Sequence, residues 1–169
     1  MHQATYLGES IIAENDELHQ QAGYGEPNPD GTLQLSLLEG LFLTEKGRLT
    51  VRDTRGRTLT TRGMLRMFSK TDPQFRTRYI VFSDLRSRGY IVKTALKFGA
   101  DFRVYDRGVK PGDDHAKWVV YPVAEGNALT WQDFAAKNRV AHSTRKRLLM
   151  GVVDDENGVS YWEVRWMRP

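Results

Sequence analysis

The stretch "VYDRGVKPGDDHAKWVVYPV", residues 104–123, reads as the end of one strand, a polar loop and a second strand. Val104 and Tyr105 close an alternating run that begins at Phe102. Gly108, Pro111 and Gly112 then mark turns within an otherwise charged segment. His115 stands at the far end of that loop, ten residues after Tyr105, and Trp118 to Val123 resumes an apolar, β-rich pattern. Working outward, "YIVKTA" (90–95) and "DFRVYD" (101–106) are strand-like runs around Gly99. A helix is expected from about Thr130 towards His142. "RLLMGVVDDENGVSYWEVRW" (147–166) supplies two further apolar runs joined by an acidic turn with Asn157-Gly158, a strong hairpin signal. This part of the chain therefore reads as a mixed sheet flanked by helices.

The segment before it carries different signals. Residues 5–14 could form one strand, and "GYGEPNPDGT" (23–32) breaks regular structure. Ser36, with Glu39 three positions on, has capping-box spacing. Leu37, Leu38, Leu41 and Phe42 share a helix face, and Gly47 ends that helix. "RLTVRD" (48–53) is a short strand and "TTRGMLRMFS" (60–69) a second helix. Asp72-Pro73 in "TDPQF" opens another helix, which carries Tyr79, Phe82 and Leu85 on one side and stops at Gly89. The expected fold is α/β in the α+β sense. A small N-terminal α+β domain over residues 1–74 precedes a C-terminal mixed-sheet domain over residues 75–169.

Composition narrows the chemistry. The 169 residues include no cysteine, which removes disulfides, thiolate metal sites and cysteine nucleophiles and suits an intracellular setting. No apolar run approaches membrane-spanning length. The first ten residues lack the blocks of a signal peptide. A soluble, cytoplasmic protein with no membrane association is expected. Charge is uneven: residues 1–77 hold 9 Lys/Arg and 10 Asp/Glu, whereas residues 78–169 hold 16 and 11. The excess of cations in the second half suits a polyanion partner or an ordinary solvated surface.

The four histidines at 2, 19, 115 and 142 are scattered, and the Glu-x-Lys or Asp-x-Lys of many metal-dependent nucleases does not occur. Neither a metal nor another cofactor is implied. The glycines of "RSRGYIVKTALKFGAD" have neither phosphate-loop nor dinucleotide spacing. Metal-free cleavage of RNA makes smaller demands, because the 2′-hydroxyl is a built-in nucleophile. It needs a base for that hydroxyl, an acid for the departing 5′-oxygen and a cation for the phosphorane charge. Histidine suits the acid, and lysine or arginine the cation. Tyrosine serves as base only where a cation stabilises the phenolate. Tyr105, His115 and a C-terminal lysine meet these needs, although seven tyrosines and many lysines leave other choices open on residue type alone.

A resemblance narrows those choices. "YIVFSDLRSRGYIVKTALKFGADFRVYDRG" (79–108), "RVAHSTRKRLLMGVVD" (139–154) and "VSYWEVRWMRP" (159–169) resemble the catalytic domain of archaeal tRNA-splicing endonucleases, and "LSLLEGLFLTEKGRLTV" (35–51) is similar to that family's N-terminal domain. The likeness is strong over residues 79–169 and loose before about residue 32. One position departs, Ala95 where the family often has glycine.

The resemblance implies a tyrosine, histidine and lysine triad at Tyr105, His115 and Lys146. It implies cleavage of precursor tRNA at a bulge–helix–bulge, a helix flanked by two short bulges, leaving 2′,3′-cyclic phosphate and 5′-hydroxyl ends. It assigns base stacking to Arg139 and to a second planar side chain near the C-terminus, for which Trp166 is the choice and Arg165 or Arg168 the alternatives. It implies a homo-oligomer, a homotetramer paired through the last strand, with the acidic turn Asp154, Asp155 and Glu156 entering a basic cleft of a neighbour. A non-catalytic RNA-binding or structural subunit of such an assembly is the competing reading. The presence of all three triad residues opposes it. His142 is expected to be structural.

Overall fold

The computed structural model describes residues 1–96 and 99–169. The chain divides into two compact units, Met1–Arg76 and Thr77–Pro169. In the first, strands β1 (His2–Tyr6), β2 (Ile11–Ala13), β3 (Glu26–Pro27), β4 (Leu33–Leu35) and β5 (Leu49–Arg52) form a sheet of order β3-β4-β2-β1-β5. Helices α1 (Glu17–Ala22), α2 (Leu37–Glu45) and α3 (Thr61–Thr71) accompany it.

The single strand expected over residues 5–14 is two. Gly8 takes a left-handed φ of 97° and Leu7 N–H donates to the Ser10 carbonyl, so β1 and β2 close a hairpin instead of continuing. Ser36 does cap α2, and Glu39 completes the box. The same buried carboxylate also accepts the Gly25 N–H at 2.8 Å, so it ties the glycine-rich segment to the helix start.

In the second unit, β6 (Ile91–Thr94), β7 (Phe102–Tyr105), β8 (Trp118–Ala124), β9 (Arg147–Val153) and β10 (Val159–Val164) form a sheet of order β10-β9-β8-β7-β6. Helix α4 spans Phe75–Ser87 and α5 spans Trp131–Ser143. All pairings are antiparallel except β8 with β9. A parallel pair cannot be joined by a tight turn, and α5 makes the crossover.

Alternation sorts the two faces. Phe102 packs on Phe82 of α4 with ring centroids 5.9 Å apart, and Gly151 lies against Val81 of the same helix. On the opposite face Val119, Tyr121, Leu148 and Met150 pack with Ala141 of α5 and with Ala95. Arg103 pairs with Val119 across the ladder, so Arg103 and Tyr105 leave the sheet on this α5 side.

The end of α5 fixes where β9 starts. Arg145 adopts φ 56°, its N–H donates to the His142 carbonyl at 3.1 Å, and the Lys146 N–H donates to the Ala141 carbonyl at 2.8 Å. These two bonds with a left-handed residue between them form a Schellman ending, here built on arginine where glycine is usual. Lys146 is thereby delivered to the first position ahead of β9. Arg145→Gly relieves the left-handed strain and should leave stability unchanged or raise it by up to about 1 kcal/mol, whereas β-branched Arg145→Val should cost about 1–3 kcal/mol. Urea unfolding of the three proteins measures both.

The Tyr121 hydroxyl donates to the Gly99 carbonyl at 2.9 Å beneath α5. Burial, and secondarily the charge of Asp101, push its phenol up to about 12. The unfolded chain ionises first, near the ordinary value of about 10. Tyr121 therefore favours the folded state fully below that pH, and its contribution is lost as pH rises towards the folded value. Burial and the Asp84 hydrogen bond raise Tyr161 in the same sense. Unfolding free energy should fall as pH climbs from about 10 towards 12, and Tyr121→Phe should flatten that fall. Denaturant titrations across the alkaline range read the slope.

Candidate active site

The loop between β7 and β8 is pinned at its stems. Lys117 N–H donates to the Val104 carbonyl at 2.9 Å, and the Lys117 ammonium meets Asp106 at 3.4 Å. Within it, two turns are marked by Val109 N–H to Asp106 and Asp113 N–H to Lys110. Gly108 and Gly112 sit at φ values of 78° and 98° that glycine adopts without strain. The Asp114 carboxylate accepts the His115 backbone N–H at 2.7 Å, holding the backbone at the base of that imidazole. These contacts return the loop to the sheet end from which it left.

Ladder register places the other groups at that same end. Val104 pairs with Trp118, and Trp118 with Arg147, so the last residue of β7 and the residue before β9 flank the start of β8. Tyr105 and Lys146 project on the α5 side, and a cleft of about 390 Å³ is lined by Tyr105, His115 and Lys146 together with Arg103, Asp113 and Asp114. Tyr105 keeps only 5% of its surface exposed, His115 is exposed, and Lys146 is half-buried with its ammonium 3.2 Å from the Thr144 carbonyl. A phenol, an imidazole and an ammonium thus face one water-accessible space that can admit a phosphodiester. The three side chains come from positions separated by up to 41 residues (146 − 105).

The remaining expected residues lie to one side or elsewhere. Lys146 also borders a second hollow lined by His142, Arg165 and Trp166, and beyond it a larger groove takes in His142, Trp166, Arg139, Phe134 and Trp131. Arg139 is exposed on α5, and Trp166 is 56% exposed. The His142 ring lies 5.1 Å from that of Trp166, and the Arg168 guanidinium lies over the same indole, 5.4 Å from its centre. Trp166 is therefore not a core residue of a terminal strand: it follows β10, and its indole is held at the surface by a histidine and an arginine. His142 is likewise exposed and packs on this indole.

Asp154, Asp155 and Glu156 form the exposed β9–β10 turn. They are not equivalent. Asp154 accepts the Glu156 and Gly158 N–H groups at 2.9 and 2.8 Å and so shapes the turn, with Asn157 at φ 63°. Asp155 and Glu156 carry no side-chain partner among the described residues.

Two features of this site were not read from the sequence. Arg103 lines the cleft, and the clue was its i, i+2 relation to Tyr105 on one strand. Trp131 forms part of the groove wall, and nothing in its helix-start position announced that.

Comparison with known proteins agrees with the order of the two units. Residues 3–65 match the family described as tRNA intron endonuclease, N-terminal domain, and residues 75–161 match tRNA intron endonuclease, catalytic C-terminal domain. The chain is similar to the tRNA-splicing endonuclease of Thermococcus onnurineus, 41% identical over 153 residues that cover 90% of this chain and 86% of that protein. It is 39% identical over 165 residues to the tRNA-splicing endonuclease of Pyrococcus furiosus, covering 95% and 94%. For that of Nanoarchaeum equitans the values are 44% over 142 residues, covering 80% and 90%. Carrying both domains in sequence, at such identity and over so much of its length, the chain belongs to the tRNA intron endonuclease family.

Proposed function

We propose that this protein cleaves precursor tRNA at bulge–helix–bulge sites by metal-independent attack of the RNA's own 2′-hydroxyl. The observation that carries the reading is the single cleft lined by Tyr105, His115 and Lys146. Tyr105 takes the 2′-hydroxyl proton, and the 2′-oxygen forms a bond to phosphorus. His115 gives a proton to the 5′-oxygen as the P–O5′ bond breaks. Lys146 offsets the extra negative charge of the pentacoordinate phosphorus. The balance leaves a 2′,3′-cyclic phosphate on one fragment and a 5′-hydroxyl on the other. Such a step requires no group beyond those side chains.

Recognition in this reading uses the groove beside the cleft. Arg139 and Trp166 offer a guanidinium and an indole plane for a base splayed from a bulge, a mode suited to unstacked RNA. Both being surface-exposed and lining one groove supports the assignment.

Two bulges call for two sites at a fixed separation, and each chain has one triad. The proposed assembly is a homotetramer. Strand β10 is an edge of its sheet and Trp162 on it is 64% exposed, which suits pairing with a second copy. Asp155 and Glu156, exposed and without a side-chain partner among the described residues, suit docking into a basic surface of another subunit.

The purified chain should cut a bulge–helix–bulge RNA in EDTA. His115→Ala should slow single-turnover cleavage by roughly 10²–10⁴. Tyr105→Phe should also slow it while RNA affinity stays close to that of the unaltered protein. No cleavage in EDTA with recovery on adding magnesium would refute metal independence, and near-normal cleavage by either variant would remove that residue from the mechanism.

The assembly proposal has its own measurement. Asp155→Lys with Glu156→Lys, leaving Asp154 to hold the turn, should lower the mass seen by light scattering from tetramer to dimer and reduce activity. Unchanged mass, or a monomeric parent protein, counts against it.

A further inference from the structure

Arg103 has no role in the mechanism proposed for Tyr105, His115 and Lys146. It lies two residues before Tyr105 on β7, so the two side chains leave the same face of the sheet, and it lines the same cleft as Tyr105, His115 and Lys146. The Nε atom is sealed from solvent yet donates to no acceptor, and the side chain makes no ion pair among the described residues.

The neighbours explain why nothing inside the protein answers it. Along the ladder Arg103 pairs with Lys93 on one side and Val119 on the other, a second cation and an aliphatic group. Of the two carboxylates lining the cleft, Asp114 is taken by the His115 N–H. Asp113 stands in the exposed loop without an ion pair to Arg103. The Nε is sealed from solvent, so the part of this cleft-lining guanidinium that can meet a ligand is its terminal nitrogens, which make no hydrogen bond among the described residues. A guanidinium is a planar fork matched to two oxygens of a phosphate, and it holds its proton throughout the pH range in which proteins work.

We propose that Arg103 is a fourth catalytic residue of this site, its guanidinium donating to a non-bridging oxygen of the phosphate being cleaved. This rests on the ribonuclease reading above. Lys146 approaches from the start of β9 as a compact charge, and Arg103 approaches from β7 as a directional donor. The charge on the non-bridging oxygens grows as the 2′-oxygen adds, so both contacts strengthen towards the transition state. Arg103 neither gains nor loses a proton in the step. The assignment also meets the requirement that a tyrosine base have cations close by, because Arg103 and Tyr105 are neighbours on one strand face.

The test uses the full-length protein and a bulge–helix–bulge RNA under single-turnover conditions. Three RNAs are compared: the all-oxygen substrate and the two diastereomers with sulfur replacing one non-bridging oxygen at the scissile phosphate. Arg103→Gln should cut the rate by roughly 10²–10³, the usual effect of losing one donor to a developing anion. Arg103→Lys should recover only a minor part, since a lysine lacks the fork.

Affinity for an uncleavable RNA with a 2′-deoxy residue at the cut should change far less than the rate. One sulfur diastereomer should slow the unaltered protein but impose no further slowing on Arg103→Gln, because the contact is already gone. A purely structural role would leave the two sulfur effects the same in both proteins.

Cleavage by Arg103→Gln within about threefold of the parent, or identical sulfur effects in parent and variant, overturns the proposal. Should Arg103→Gln fail to fold, Arg103→Lys, which keeps the aliphatic stem, decides: a full rate overturns the assignment, and a folded but slow variant with a lost sulfur effect supports it. If the parent protein cuts none of these RNAs, the ribonuclease reading itself falls. If the parent cuts and only the Arg103 outcomes fail, that reading stands without Arg103.

Discussion

Seven residue pairs join β8 to β9 in parallel, from Trp118 with Arg147 to Ala124 with Val153, and the position of every group in the cleft depends on that pairing. Parallel neighbours start at the same end of a sheet, so the residue before β9 and the residues before β8 arrive side by side. Antiparallel β7 runs the other way and brings its last residue, Tyr105, to the same end. Had β9 followed β8 as an antiparallel hairpin, Lys146 would open at the far end of the sheet, some seven residues away along the strand. The crossover that parallel pairing demands is α5, and it does a second job by covering the face from which Tyr105 and Lys146 project.

The cleft is rigid on two sides and adaptable on the third. Tyr105 is buried in the sheet, and Lys146 follows a hydrogen-bonded helix ending. His115 rides on a loop whose stems are fixed by the Lys117 contacts while its own ring stays exposed. The imidazole can therefore reorient at the mouth of the cleft while its backbone stays anchored. On the α4 side of the same sheet end, Glu163 gathers the Trp118 indole N–H at 2.9 Å and the guanidinium groups of Arg147 and Arg165. The Trp118 hydrogen bond, then those charges, hold its carboxyl below the ordinary range. That hub orders cations beside the site without placing a carboxylate in it.

Much of the second unit was legible because its signals are local. Asn157-Gly158 demands a turn with left-handed backbone, and Asn157 has it. Thr130 caps α5 where the polar-to-periodic change occurs, with Asp133 closing the box. In the first unit local signals misled twice: residues 5–14 carry enough strand-forming residues for one continuous run that only Gly8 breaks, and residues 23–32, read as breaking regular structure, contain β3. A lone glycine in such a run can equally sit in a bulge. The placement of β3 and β4 around "GYGEPNPDGT" rested on pairing partners that turn chemistry does not reveal.

What the sequence by itself determined is the inventory and its spacing: the strand that ends in Tyr105, the loop that ends in His115, the "AHSTRK" segment with Lys146, and turn residues able to carry the chain between them. Motif likeness was enough to place the chain in its family. What only the tertiary structure decided is which other groups share their space. Arg103 faces the cleft because of a register that aligns it with Lys93 and Val119. Trp166 is a surface plane because it passes the end of β10, and Asp154 differs from Asp155 because its carboxylate closes the turn. Each of these is a non-local contact or a hydrogen-bond choice between chemically similar neighbours. Residue type and spacing are blind to both, because the energy that settles them comes from ladder register and burial, which exist only once the sheet has formed.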